Sequence, residues 1–377
     1  MLIYIFIISI VLFGELVDNK RSKYYFIFTI VVSTLFFCFG YMTGSDWRQY
    51  EPMYNLIGEG RGIGIFVEPG FYAYMVLFNY LKINFWGFLI FTKIVSFLVF
   101  IFFIKKYSPE NKYFVLAYFL VSFGLFYYID NPLRNLIAAT IYLFSIHYIL
   151  EGNFLKYLLI VLLAATFHVS VLITIPFYFI LNIDLKKAHW ILIFLLVIIA
   201  SIILRAKLMG WLTGLLGTNP YIGSKITFYF SSMNGVESHF FSLGTIIKFI
   251  FFILILISKD YFFKAGKIGK MLFNGSMLFL LFNRLGASII VLSRFQMYTA
   301  IFFCIAIIFM IKNIESSSRK TYLLFLVVII YATLIMTITT TYKYIPYTNY
   351  LFYLNKNVPF YQRANYNYVK SPYYERK

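Results

Sequence analysis

The sequence predicts an all-α, polytopic membrane bundle of about 11–13 transmembrane helices, and three observations predict it. First, 62% of the 377 residues are hydrophobic and only 12% are charged, whereas a soluble domain is about 45–50% apolar and about 25% charged. Second, the apolar residues gather in runs near the roughly 20 residues that a span needs. Third, Lys and Arg collect in short segments between those runs, as the positive-inside rule requires of a membrane protein. A soluble enzyme, a disordered chain and a DNA-binding protein are all excluded. The net charge of +19 reads as loop charge that sets orientation, so no nucleic-acid partner is expected. Cys38 and Cys304 lie inside apolar runs, which leaves no disulfide framework or zinc cluster.

In chain order the runs are near Leu2–Phe13, Tyr24–Gly40, Phe85–Ile104, Tyr113–Ile129, Asn135–Leu150 and Tyr157–Leu181. They continue near Trp190–Leu204, Phe241–Ile257, Met271–Leu292, Met297–Ile311 and Tyr322–Thr341. The first lacks a basic n-region and a small-residue cleavage site, so it is a span and not a signal peptide. Fifteen cations lie in five segments: Lys20, Arg21 and Lys23; Lys105, Lys106 and Lys112; Lys186 and Lys187; Lys259, Lys264, Lys267 and Lys270; Lys312, Arg319 and Lys320. All belong on the cytoplasmic side, with the N-terminus outside.

Two segments resist simple alternation. Phe71–Leu81 is apolar but short, and it reads as a helix that lies on the outer membrane surface or dips partly in. Tyr157–Leu181 holds Phe167-His168-Val169-Ser170 near its middle. Crossing once puts Lys186 and Lys187 outside; breaking at His168 into a hairpin puts them inside, and such breaks are tolerated where protein or a wet cavity covers the backbone. Residues 1–341 then form one polytopic membrane domain, and 342–377 form a basic periplasmic tail with ten Tyr. That tail suits sugar rings and phosphate, or equally a membrane interface.

Candidate chemistry concentrates on the outer face. Asp46 follows a span and is framed by Trp47, Arg48 and Tyr50. A carboxylate there suits general-base work on a sugar hydroxyl, although Trp and Tyr also serve as interfacial anchors. Asn131-Pro132-Leu133-Arg134 turns between two spans. A cation at a helix N-terminus opposes the macrodipole, which calls for an acidic partner such as Asp130 or a bound phosphate. Otherwise Arg134 is a snorkelling side chain. Arg284 lies about 13 residues into the run from Met271, where an Arg is expensive by roughly 2.5 kcal/mol or more and should face a cavity. Arg294 has Tyr298 at i+4, on the same face of a continuous helix; otherwise it is an ordinary span-end charge. His168 lies in an apolar run and is flanked by Thr166 and Ser170; the alternative is a hydrogen-bonded structural residue. No metal-ligand spacing, P-loop or dinucleotide fingerprint is present.

The order of these pieces carries a resemblance: Gly44-Ser-Asp46-Trp-Arg-Gln-Tyr50, Glu68-Pro69-Gly70-Phe71, Arg134-Asn135-Leu136-Ile137-Ala138, Leu163 to Ser170, Arg294 with Tyr298, and Ile345-Pro346-Tyr347. The whole, from Gly40 to Tyr347, resembles the EpsG-like family of polysaccharide polymerases, which includes Wzy-type O-antigen and capsule polymerases. The resemblance implies a GT-C-like membrane glycosyltransferase of the bacterial inner membrane. Its donor and acceptor would be undecaprenyl-pyrophosphate-linked oligosaccharide repeats, joined at the periplasmic face without metal or other cofactor. Membrane lipid and a chain-length regulator would be its partners. Within that reading Arg134, Arg284 and Arg294 bind pyrophosphate, Arg48, Tyr50 and Tyr298 contact substrate, and Asp46 or His168 deprotonates the acceptor. A flippase would need cations along a transmembrane path and internal symmetry, which is not evident. A non-catalytic scaffold and an O-antigen ligase stay open.

Overall fold

Length and hydropathy select the spanning helices. A helix rises 1.5 Å per residue, so a hydrocarbon core about 30 Å thick needs about 20 residues. In the computed structural model, residues 1–17, 19–62, 67–216, 243–286 and 290–371 are described. Among them four helical segments are long and apolar enough to cross a membrane: Phe85–Tyr107, Lys112–Asp130, Leu133–Glu151 and Ser316–Thr339. Shorter apolar helices accompany them, and the regular structure is helical apart from one bridge between Gly40 and Asn349. The chain is therefore an all-α polytopic membrane protein.

The described residues form two compact units. The first comprises 1–172 and 314–377. It begins with α1 (Leu2–Phe13), α2 (Asn19–Phe37), α3 (Trp47–Gly58) and α4 (Pro69–Tyr80). At 12 residues, α4 is too short to span, as its apolar but brief sequence anticipates; it packs against α3. Then follow α5 (Phe85–Tyr107), capped by the Asn84 side chain, and α6 (Lys112–Phe119), which runs on as π-helical turns over Leu120–Asp130. Next come α7 (Leu133–Glu151), closed by Gly152 at positive φ, and α8 (Phe154–Ala165), capped by Asn153.

The two ends of this unit differ in chemistry. At one, Lys105 and Lys106 occupy the last turn of α5, Glu15 accepts the Phe114 N–H at 3.0 Å, and the Lys112 ammonium sits over Tyr113. At the other, the segment after Ser316–Thr339 folds back onto α1 and α2. Tyr4 donates to the Tyr344 carbonyl, Tyr347 to the Phe36 carbonyl and Asn349 to the Leu35 carbonyl. The tail carries a helix, Phe360–Lys370.

The run Tyr157–Leu181 is broken at His168, as the charge rule favours. After α8 the chain turns, continues as a tight 3-10 stretch over Val169–Thr174 and makes the short α9 (Phe177–Ile180). The second unit, 173–313, packs the helix Gly266–Gly286 against Ala300–Phe309, with Phe279 stacked on Phe303. Its lysine clusters share an end: Lys259 pairs with Asp184 at 2.6 Å and Lys187 with Asp260 at 2.7 Å. The stretch Arg205–His239, which lies between two apolar runs, reads from sequence as a long outer loop, and the helix α10 (Lys187–Leu216) enters it. The remainder of that loop, including Glu237, lies outside the described residues, as does Glu375.

Candidate functional site

Pro69 is pre-organised for the first turn of α4, which leaves Glu68 at the capping position. Its carboxylate does not cap its own helix. Oε1 lies 3.0 Å from His168 Nδ1, and Oε2 accepts from Arg134 Nη1 at 2.8 Å. Both Glu68 and His168 are buried, at 6% and 9% exposure. The close approach depends on glycine. The Gly70 N–H donates to the Thr166 carbonyl at 2.8 Å, and a Cβ at residue 70 would collide with the Thr166 hydroxyl. On the other side, the Phe167 and His168 N–H groups both turn back to the Ala164 carbonyl. That closes α8 and swings the imidazole toward α4.

Burial alone would raise the Glu68 carboxyl. The His168 hydrogen bond and the Arg134 charge outweigh burial and hold it down at about 2. Glu68 is thus an ionised, acceptor-only group at neutral pH. His168 Nδ1 must then donate the proton of that hydrogen bond, which turns Nε2 away from Glu68. Among the described residues no hydrogen bond reaches Nε2. Arg134 Nε also points at the Tyr50 hydroxyl, 3.4 Å away.

A second polar cluster adjoins the start of α3. The π-helical turns end at Asp130, and Asn131 follows in the left-handed region. Asp130 Oδ1 accepts the Ser45 N–H at 2.8 Å and its hydroxyl at 2.5 Å, while Oδ2 accepts Lys343 Nζ at 2.9 Å. Asp46 joins through its N–H to the Asp130 carbonyl and through the Ser45 hydroxyl, 3.1 Å from its Oδ1. Gly44, at φ +78°, lets this loop pass the Ile129 carbonyl. Beside it Arg363 from the tail pairs with Glu51 at 2.6 Å and lies 5.7 Å from the Trp47 ring. Arg48 Nε and Nη2, with Trp47 Nε1, are buried without hydrogen-bond partners among the described residues. Buried donors in that state are costly.

Arg284, Arg294 and Tyr298 belong to the second unit. Arg284 is buried and sits in the last turn of Gly266–Gly286. The macrodipole favours a cation there. Its side chain lines a cavity of about 240 Å³ together with Lys248 and Asn283. Arg294 and Tyr298 do not share an α-helical face. Ile290–Ser293 stops before Arg294, and Phe295–Tyr298 is a 3-10 turn.

Of the residues singled out by sequence, His168, Arg134 and Tyr50 come together, and Asp46 and Arg48 stand at the neighbouring cluster. Arg134 finds its acid in Glu68 and not in Asp130, which is held by Lys343. Sequence reasoning missed Glu68 as the hub. The available signal was an acid immediately before Pro-Gly at a helix start. It also missed the Ser45–Asp130–Lys343 clamp, for which no local spacing exists.

A model of the EpsG family matches residues 23–351, which contain both clusters apart from Arg363. No curated protein and no solved structure matches the chain.

Proposed function

The chain belongs to the EpsG family, and on that premise we propose that it is a membrane glycosyltransferase that polymerises lipid-linked oligosaccharide repeats. The reaction joins undecaprenyl-pyrophosphate-linked units into O-antigen, capsule or exopolysaccharide at the periplasmic face of the bacterial inner membrane. The observation that carries this reading is the buried Glu68–His168 pair braced by Arg134, at the end of the first unit opposite Lys105 and Lys106.

The chemistry follows from the groups present. A sugar hydroxyl of the acceptor loses its proton to His168 Nε2, as general-base catalysis requires. Its oxygen bonds to the anomeric carbon of the donor chain, and the bond from that carbon to the pyrophosphate oxygen breaks. Glu68 accepts from Nδ1–H throughout, fixing the tautomer and stabilising the imidazolium. Asp46, hydrogen-bonded at the neighbouring cluster, is the alternative base. The leaving pyrophosphate gathers negative charge, and positioned cations are the groups that lower that barrier. Arg134 and Arg48 serve here, with Tyr50 orienting Arg134. An anion that draws Arg48 out of its pocket restores hydrogen bonds that its buried nitrogens lack. Arg284, Arg294 and Tyr298 are proposed as further anion ligands on their own chemistry.

The test is made in detergent solution, where there is no bilayer to cross. Purified protein with lipid-linked repeats should give a ladder of products, and His168→Ala should leave single repeats. No ladder from the wild-type chain, alongside restored movement of the same lipid across vesicles, would replace the polymerase reading with a flippase.

A further inference from the structure

We propose that the lysine-rich end of the first unit holds an anionic phospholipid in a groove between α5, α7 and α8. The groove encloses about 620 Å³, within the range of small-molecule sites. Its chemistry changes along its length. On α5 the lining runs from Val99 through Phe102 to Lys106, and on α7 from Ile141 through Phe144 to His147. These residues are three or four apart, so each set lies along one helical face. The helices α5 and α7 pack together and reach their C-terminal turns at the same end. The groove is therefore apolar for roughly 10 Å and polar at one mouth.

Both rims carry exposed aromatic rings, Phe102 at 64% and Phe144 at 53%. In a spanning helix these face hydrocarbon, so the groove opens sideways to lipid and not to water. At the mouth Lys106 has a second cation for company. Lys156 at the start of α8 holds its ammonium 5.6 Å from the ring of Tyr148, itself a lining residue. The acid on the adjoining turn, Glu151, is engaged by His147 at 2.9 Å. An apolar slot with two lysines at its mouth complements one hydrocarbon chain below a phosphate headgroup. The occupant is a glycerophospholipid of phosphatidylglycerol type, not the polyprenyl carrier, because this mouth is at the opposite end of the unit from Glu68 and His168.

Native mass spectrometry of the full-length protein in neutral detergent tests this with phosphatidylglycerol, phosphatidylcholine and undecaprenyl phosphate as separate probes. Phosphatidylglycerol should stay bound where phosphatidylcholine dissociates. A lysine near an anionic lipid is worth roughly fivefold in binding, so the Lys106→Gln/Lys156→Gln protein should lose about twentyfold in affinity or more. Phe144→Trp, a change at an exposed position, should block the groove with both lysines intact. If the lysine variant fails to fold, a photoreactive phenylalanine analogue at residue 144 keeps the question decidable. Crosslinking to phosphatidylglycerol in excess over phosphatidylcholine supports the site. Equal retention of both phospholipids, unchanged binding by either variant, or displacement by stoichiometric undecaprenyl phosphate overturns it.

Discussion

Glu68 does two jobs with one carboxylate, and its substitutions separate them. Glu68→Gln keeps the shape but loses the charge that fixes the His168 tautomer and holds Arg134. A positioned base contributes about 10²–10⁴-fold, so His168→Ala should lower the rate of chain extension by that order. Glu68→Gln should do so by a smaller factor, because an imidazole without its partner still has a basic nitrogen. Equal ladders from wild type and His168→Ala, with a large loss for Asp46→Asn, would move the base to Asp46. The same carboxylate predicts an acid response. Its value is held at about 2 against an ordinary 4.5, so between those limits the unfolded chain binds the extra proton. The stabilisation is complete above about pH 4.5 and is lost as pH falls toward about 2. Unfolding temperatures measured across that window should fall more steeply for wild type than for Glu68→Gln; parallel curves would mean that Glu68 is not held this way.

The element that delivers Glu68 is α4, and its placement rests on one glycine. In Gly70→Ala the new methyl meets the Thr166 hydroxyl and crowds the Thr166 carbonyl that accepts the residue-70 N–H. Overpacking of this kind costs about 1–3 kcal/mol, and here it also pushes Glu68 away from His168. Lower thermal stability together with shortened products is expected, and Thr166→Ala should restore part of both by removing the hydroxyl. Full activity from Gly70→Ala would show that α4 tolerates displacement. Much at this scale was legible in the sequence. The short apolar run after Pro69, the break at His168 and the turn at Pro132 each have a local cause: chain length, a polar interruption and a fixed φ. The contacts that make the site have none. Glu68 and His168 are 100 residues apart, and Asp130 and Lys343 are 213 apart. Their meeting depends on which helices neighbour one another, which hydropathy does not encode. Arg284 was legible for a local reason: an Arg within an apolar run has to turn inward, and it is buried beside a cavity.

At the scale of the whole molecule, orientation decides whether the clusters around Glu68 and Asp130 meet periplasmic substrate. The orienting effect of the charges is cumulative. Each lysine near an anionic leaflet contributes roughly 1 kcal/mol, and in each unit lysines gather at one end: Lys105, Lys106 and Lys112 in the first, Lys187 and Lys259 in the second. The tail belongs to the other end of the first unit, since Tyr4, Phe36 and Leu35 hold it there. Arg61 and Tyr361 are exposed there, 71% for the Arg61 side chain and 78% for Tyr361, and they suit single cysteines. The native thiols, Cys38 and Cys304, are buried and contribute little background. A membrane-impermeant maleimide added to intact spheroplasts should label Arg61→Cys and Tyr361→Cys and spare Lys105→Cys until the membrane is opened. The reverse pattern would place Glu68 and His168 on the cytoplasmic side, where a periplasmic polymerase has no substrate. Labelling of Arg61→Cys with protection of Tyr361→Cys would break the fold of the tail onto α1 and α2 and release Lys343 from Asp130, while leaving the Glu68–His168 pair on the outer face.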